Sequence, residues 1–150
     1  MFNTLKMQMN ELLERYQATN ELSEQLFQEI RDKNYSDADI SFKKYLQLSL
    51  DIQDGSKSMH KLIGKYCAEV GSDECVMEVL YPLLTVQEQE WFMDAKIQLQ
   101  KVHDEFVRNY QMNLQLIQAN MRRSSILVNV YKQKLQEQQN KGVNSLSRRV

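Results

Sequence analysis

Four glycines and one proline in 150 residues leave this chain few of the residues that interrupt regular structure, and neither type occurs between positions 83 and 141. So small a supply argues against a sheet-rich fold, whose tight turns consume glycine, proline and asparagine, and favours long helices. The two cysteines, Cys67 and Cys75, are too few and too closely spaced for a disulfide framework, no finger-like Cys or His spacing accompanies them, and they read as reduced thiols. His60 and His103 are the only histidines and fall on different helical segments, so no convergent acid-base set is in view. Asp51, Asp54 and Gly55 resemble the opening of a calcium loop but lack its alternating acidic ligands and closing glutamate. There is no glycine-rich phosphate cradle. No apolar run reaches the roughly 20 residues needed to span a bilayer, and the first residues lack the basic start and apolar core of a signal peptide. The expectation is a cytoplasmic protein that is not an enzyme, with no catalytic, cofactor-binding or metal-binding residue and no membrane insertion.

What the chain does contain is helix-forming polar sequence with 42% hydrophobic and 26% charged residues, an ordinary balance for one soluble domain. Its charge is divided. Residues 1–100 carry 10 Lys or Arg against 17 Asp or Glu, a net of −7, while residues 101–150 carry 9 against 3, a net of +6. The basic residues are scattered and no base-stacking aromatics alternate with them, so nucleic acid is not an expected partner.

Apolar spacing predicts a first helix over residues 3–33 and a second over residues 36–69, opened by Ser36 and Asp39 as an acidic capping box. Gly55 and Gly64 weaken the second, and a kink near Gly55 is expected. A short helix over residues 73–80 and a break at Tyr81 and Pro82 follow. Thr85 and Glu88 form a Thr-x-x-Glu capping box, the sharpest local signal in the chain. Beyond it Trp91, Phe92, Ala95, Leu99, Val102, Phe106, Tyr110, Leu114, Ile117, Met121, Val128, Tyr131 and Leu135 recur at helical spacing, predicting one helix over residues 86–138, roughly 80 Å long at about 1.5 Å per residue. Residues 140–150 read as a disordered basic tail and residues 1–139 as a single helical domain.

Short connections make the expected architecture an all-α antiparallel three-helix bundle or coiled coil with an extended C-terminal helix. A third helix running back along the second reaches the first connection near Ala119, and about 20 residues then extend beyond it. Four or five of their apolar side chains, at roughly 1.5–3 kcal/mol each, offer a partner something near 10 kcal/mol before entropic costs. The expected partner-binding residues are Leu114, Ile117, Asn120, Met121, Arg123, Leu127, Val128, Tyr131 and Leu135. Two alternatives stand beside this reading. The helix breaks near Arg122, Arg123, Ser124 and Ser125 and folds back onto its own core, or the stripe forms a homodimer of a structural coiled-coil or adaptor protein.

The stretch Leu116-Ile117-Gln118-Ala119-Asn120-Met121-Arg122-Arg123-Ser124-Ser125-Ile126-Leu127, with the helical layout before it, resembles the C-terminal pattern of the FlgN family of flagellar export chaperones. Arg123 stands where that pattern carries a second Asn. The resemblance implies a cytoplasmic, non-enzymatic chaperone of type III export in flagellum biogenesis. It implies binding of the C-terminal helical segments of hook-filament junction proteins, which are kept unassembled until delivery to the export apparatus.

Overall fold

The computed structural model describes residues 1–120 and 125–138, and among them every regular element is helical. Helix α1 is Phe2–Arg31, α2 is Tyr35–Glu69, α3 is the single turn Met77–Leu80, α4 is Val86–Asn120 and α5 is Ser125–Gln138, with a 3-10 turn at Tyr81–Leu83 between α3 and α4. The fold is an all-α bundle, as composition and periodicity predict.

Helix α1 places Leu5, Met9, Leu12, Tyr16, Ser23, Leu26 and Ile30 inward at steps of three, four and seven, which keeps them on one face. It ends in a Schellman motif. Lys33 adopts φ 58°, its N–H donates to the Ile30 carbonyl at 3.1 Å, and the Asn34 N–H donates to the Glu29 carbonyl at 2.8 Å. Helix α2 ends in the same way with Gly71 at φ 77°, Gly71 N–H on Ala68 O at 3.0 Å and Ser72 N–H on Cys67 O at 3.0 Å.

The start of α2 differs from the expected Ser36 box. The helix begins one residue earlier, with Asn34 as N-cap and no side-chain cap bond. Asn34 is already committed to closing α1, and its side-chain amide donates to Asp37 Oδ2 at 2.6 Å. Nor does Gly55 divide α2, which runs through it unbroken. Its missing side chain instead admits α1: Arg15 Nη1 donates to the Asp51 carbonyl at 2.7 Å, and a Cβ at position 55 would stand 2.7 Å from that nitrogen. The Thr85 box forms in full, Thr85 N–H donating to Glu88 Oε2 at 2.8 Å and Glu88 N–H to Thr85 Oγ1 at 3.2 Å.

Helices α1 and α4 run parallel, matched from Phe2 against Trp91 and Phe92, through Tyr16 against Phe106, to Ser23 against Asn113. Helix α2 runs antiparallel to both. The expected straight overhang is not what the chain does. The ring of Tyr131 lies 5.3 Å from that of Tyr110, whereas 21 residues of unbroken helix would separate them by roughly 31 Å. Helix α5 therefore returns along α4, resting on α2 and α4, and the fold-back alternative describes the molecule. Tyr131 thus finds its cover within the chain, on α4 and near the start of α2.

Candidate helix-docking groove

The groove that receives α5 is made of residues whose placement follows from the bundle. Phe42, Tyr45 and Ser49 succeed each other on the inner face of α2, and Phe106, Tyr110, Asn113 and Ile117 do so on α4. Large rings at matching levels build a layered aromatic stack. Tyr131 is its centre, at 5.1 Å and 23° to Phe42, 5.9 Å and 7° to Tyr45, and 5.3 Å and 23° to Tyr110, while Tyr45 continues the stack to Phe106 at 6.1 Å and 10°. Offset aromatic pairs at such distances add about 0.5–1.5 kcal/mol each beyond their burial.

Beneath the stack lies polar chemistry. Asn113, 1% exposed, donates from Nδ2 to Ser23 Oγ at 2.7 Å and to Ser23 O at 3.1 Å, tying α4 to α1. The hydroxyls of Tyr45 and Tyr131 lie near each other and near Asn113 without a well-formed hydrogen bond. Burial pushes both phenols well above the usual tyrosine range, and burial also raises Tyr110, whose hydroxyl donates to the Lys132 carbonyl at 3.4 Å. All three stay neutral at ordinary pH. The slot thus has flat aromatic walls, with the Asn113 amide and the Ser23 hydroxyl as polar groups beside them.

The expected partner-binding residues separate into three groups. Ile117, Tyr131 and Leu135 are 1%, 0% and 0% exposed, which corrects their expected place on a bare stripe: α4 turns Ile117 inward, and α5, packed on α2 and α4, carries Tyr131 and Leu135 into the protein's own core. Leu114 is half-buried against that core. Met121 and Arg123 lie outside the described residues, as do the side chains of Asn120, Leu127 and Val128, whose backbones end α4 and open α5. Phe42, Tyr45, Tyr110 and Asn113 were not singled out as site residues. Their signal was an aromatic or amide at an inward position level with the first connection.

From residue 129 to 137 only Tyr131 and Leu135 are buried, and Val130 is 37% exposed. A 14-residue helix of mixed polar composition has little stability of its own in water.

Elsewhere the chemical inventory is structural. His103 is buried with Nδ1 at 3.4 Å from the Tyr16 hydroxyl, and Cys67 is buried with its thiol raised by burial and directed at the Val76 carbonyl at 3.5 Å. Among the described residues no three His, Cys, Asp or Glu side chains converge on a metal position, and no helix is long and apolar enough to cross a membrane. No protein-family model, curated protein or solved structure matches the chain.

Proposed function

We propose that this protein is a non-enzymatic, cytoplasmic flagellar export chaperone that holds the C-terminal helical segments of hook-filament junction proteins, and that the α5 groove is where a client helix binds. The observation carrying this reading is that a short helix, seated by one aromatic and one aliphatic side chain four residues apart, covers an aromatic slot whose walls belong to longer helices. An amphipathic client helix with the same spacing presents the same chemistry. The resemblance of residues 116–127 to the FlgN pattern supplies the identity of the client, and the aromatic, preformed walls suit reversible masking of an apolar helical terminus. Client binding in the groove displaces α5, whose Tyr131 and Leu135 occupy the slot in the closed chain. Leu114 and Ile117 then line the near wall.

Calorimetric titration with C-terminal fragments of hook-filament junction proteins tests the proposal, using the full chain and a form truncated after Ala119. Saturable binding by the full chain that tightens on truncation is expected when α5 covers the site. Binding that disappears on truncation moves the site onto α5 itself. A folded protein of either length that binds no fragment overturns the chaperone reading.

A further inference from the structure

We propose that α5 also seats in the groove of a second copy of this chain, giving a two-fold dimer in which the α5 helices are exchanged and α4 continues into α5 as one straight helix. The inference rests on the fold alone and stands apart from the client assignment.

Two described reversals of the chain show how a helix is stopped here. Both are Schellman turns with a residue at positive φ, one at Gly71 and one at Lys33 within the turn-forming run Asp32-Lys33-Asn34. The connection between α4 and α5 is built from different material. Met121, Arg122, Arg123 and Ser124, bordered by Asn120 and Ser125, include no glycine or proline, and neither type occurs from residue 83 to residue 141. Local chemistry therefore permits helix across this point, and the apolar spacing of α4 continues into α5 through Ile117, Met121, Val128, Tyr131 and Leu135. What favours the hairpin is the docking of Tyr131 and Leu135 in the slot, and a second copy satisfies that docking equally well.

The geometry is self-consistent. In the closed chain α5 is antiparallel to α4, with Tyr110 opposite Tyr131 and its hydroxyl on the Lys132 carbonyl, so the pairing is centred near residue 121. Straightening the connection carries α5 away from its own slot. A second copy placed about a two-fold axis at that centre brings its Tyr131 against the first copy's Tyr110, Phe42 and Tyr45, and the reverse contact follows by symmetry. Removing four residues from a continuous helix turns α5 by roughly 40° relative to α4, which keeps Tyr131 on nearly the same face. Each slot keeps its contacts, and the dimer additionally gains continuous helix in place of two turns.

Two variants push the equilibrium in opposite directions. Ser125→Pro places proline at the first position of α5, where the closed chain tolerates it, but in the interior of the straight helix, where it removes a backbone hydrogen bond and clashes with the preceding turn. Deleting residues 121–124 removes the connection a hairpin needs but leaves a straight helix possible. Size-exclusion chromatography with light scattering is run over a hundredfold range of concentration, with helicity checked by circular dichroism. The expected result is a wild-type dimer fraction that grows with concentration, a Ser125→Pro chain that is monomeric throughout, and a deletion chain that is dimeric throughout. Exchange is then read directly by mixing a Tyr110→Cys chain with a Tyr131→Cys chain, both carrying Cys75→Ser to remove the exposed native thiol, under oxidising conditions, where a disulfide between the two different chains is expected. A wild-type chain and a deletion chain that are both monomeric at every concentration overturn the proposal. So does a wild-type dimer that Ser125→Pro leaves intact, which would place the contact on another surface.

Discussion

The three long helices and α5 are made of similar residues and are held in very different ways. Along α1, α2 and α4 buried side chains follow one another without a gap, from Leu5 and Phe92 at one end to Ile30 and Phe106 toward the other, and polar ties such as Asn113 to Ser23 cross between helices. Among the described side chains of α5, residues 129–137, the buried ones are Tyr131 and Leu135. Two buried side chains bring about 3–6 kcal/mol, against a backbone ordering cost on the order of 1 kcal/mol per residue that its own helical hydrogen bonds offset only in part. The lesson is that full burial of a residue says little about how firmly its segment is held; what matters is how many neighbours on the same element are buried with it.

Truncating a ring in each region should separate them most sharply. Phe106 is 1% exposed and packs on Tyr16 and Tyr45, so Phe106→Ala leaves a cavity between α1, α2 and α4. A loss of about 3–5 kcal/mol from the main unfolding transition is expected, measured by urea titration of the far-ultraviolet circular dichroism. Tyr131 is buried just as completely, but Tyr131→Ala can cost no more than the docking energy of α5. The main transition should move by less than about 2 kcal/mol while amide exchange in α5 approaches that of an open helix. Equal losses from the two substitutions would mean that α5 and the bundle unfold as one unit.

Alkaline pH probes the same boundary without mutation. Tyr131 and Tyr45 have phenols raised by burial, and Tyr110 is raised for the same reason, so each binds its proton more tightly folded than unfolded. Their stabilising contribution is complete below the unfolded tyrosine value of about 10 and is lost as pH climbs above it. Detaching the single short helix α5 brings Tyr131 to water and uncovers Tyr110, whose hydroxyl rests on the Lys132 carbonyl of that helix. Hydrogen exchange should therefore register opening of α5 before the far-ultraviolet signal of the long helices falls.

The same contrast explains what could be read from the sequence. Helices with a continuous apolar face and a chemically marked end, such as α1 and the Thr85-capped start of α4, were legible because pattern and local chemistry agree there. The α4–α5 reversal was legible only as an alternative, because apolar periodicity is the same for a straight helix and for a hairpin, and Ser124 and Ser125 mark a break without the force of glycine or proline. Tyr131 and Leu135 were recognised as needing cover, but not that Phe42, Tyr45 and Tyr110 would provide it. The buried amide Asn113 escaped because one polar residue on an apolar face carries no record of its partner Ser23, some 90 positions earlier.

The smallest effect comes from two glycines of α2, and it sharpens the comparison because both lie well away from α5. A Cβ at Gly64 would meet nothing closer than the Cys75 sulfur at 3.5 Å, an ordinary contact. Gly64→Ala should stabilise the main transition by about 0.5–1 kcal/mol through helix propensity alone. A Cβ at Gly55 would crowd Arg15 Nη1 at 2.7 Å and Leu12 Cδ1 at 3.3 Å, displacing the guanidinium from the Asp51 carbonyl. Loss of that charge-assisted hydrogen bond, about 1.5–3 kcal/mol at most and less for a partly exposed group, offsets the propensity gain, so Gly55→Ala should bring no net stabilisation. Neither substitution should change exchange in α5, whose opening does not require α2 to unfold. If Gly64→Ala slowed exchange at Tyr131 as much as it raised the urea midpoint, α5 would be opening only through global unfolding, and the division between the two regions would fail.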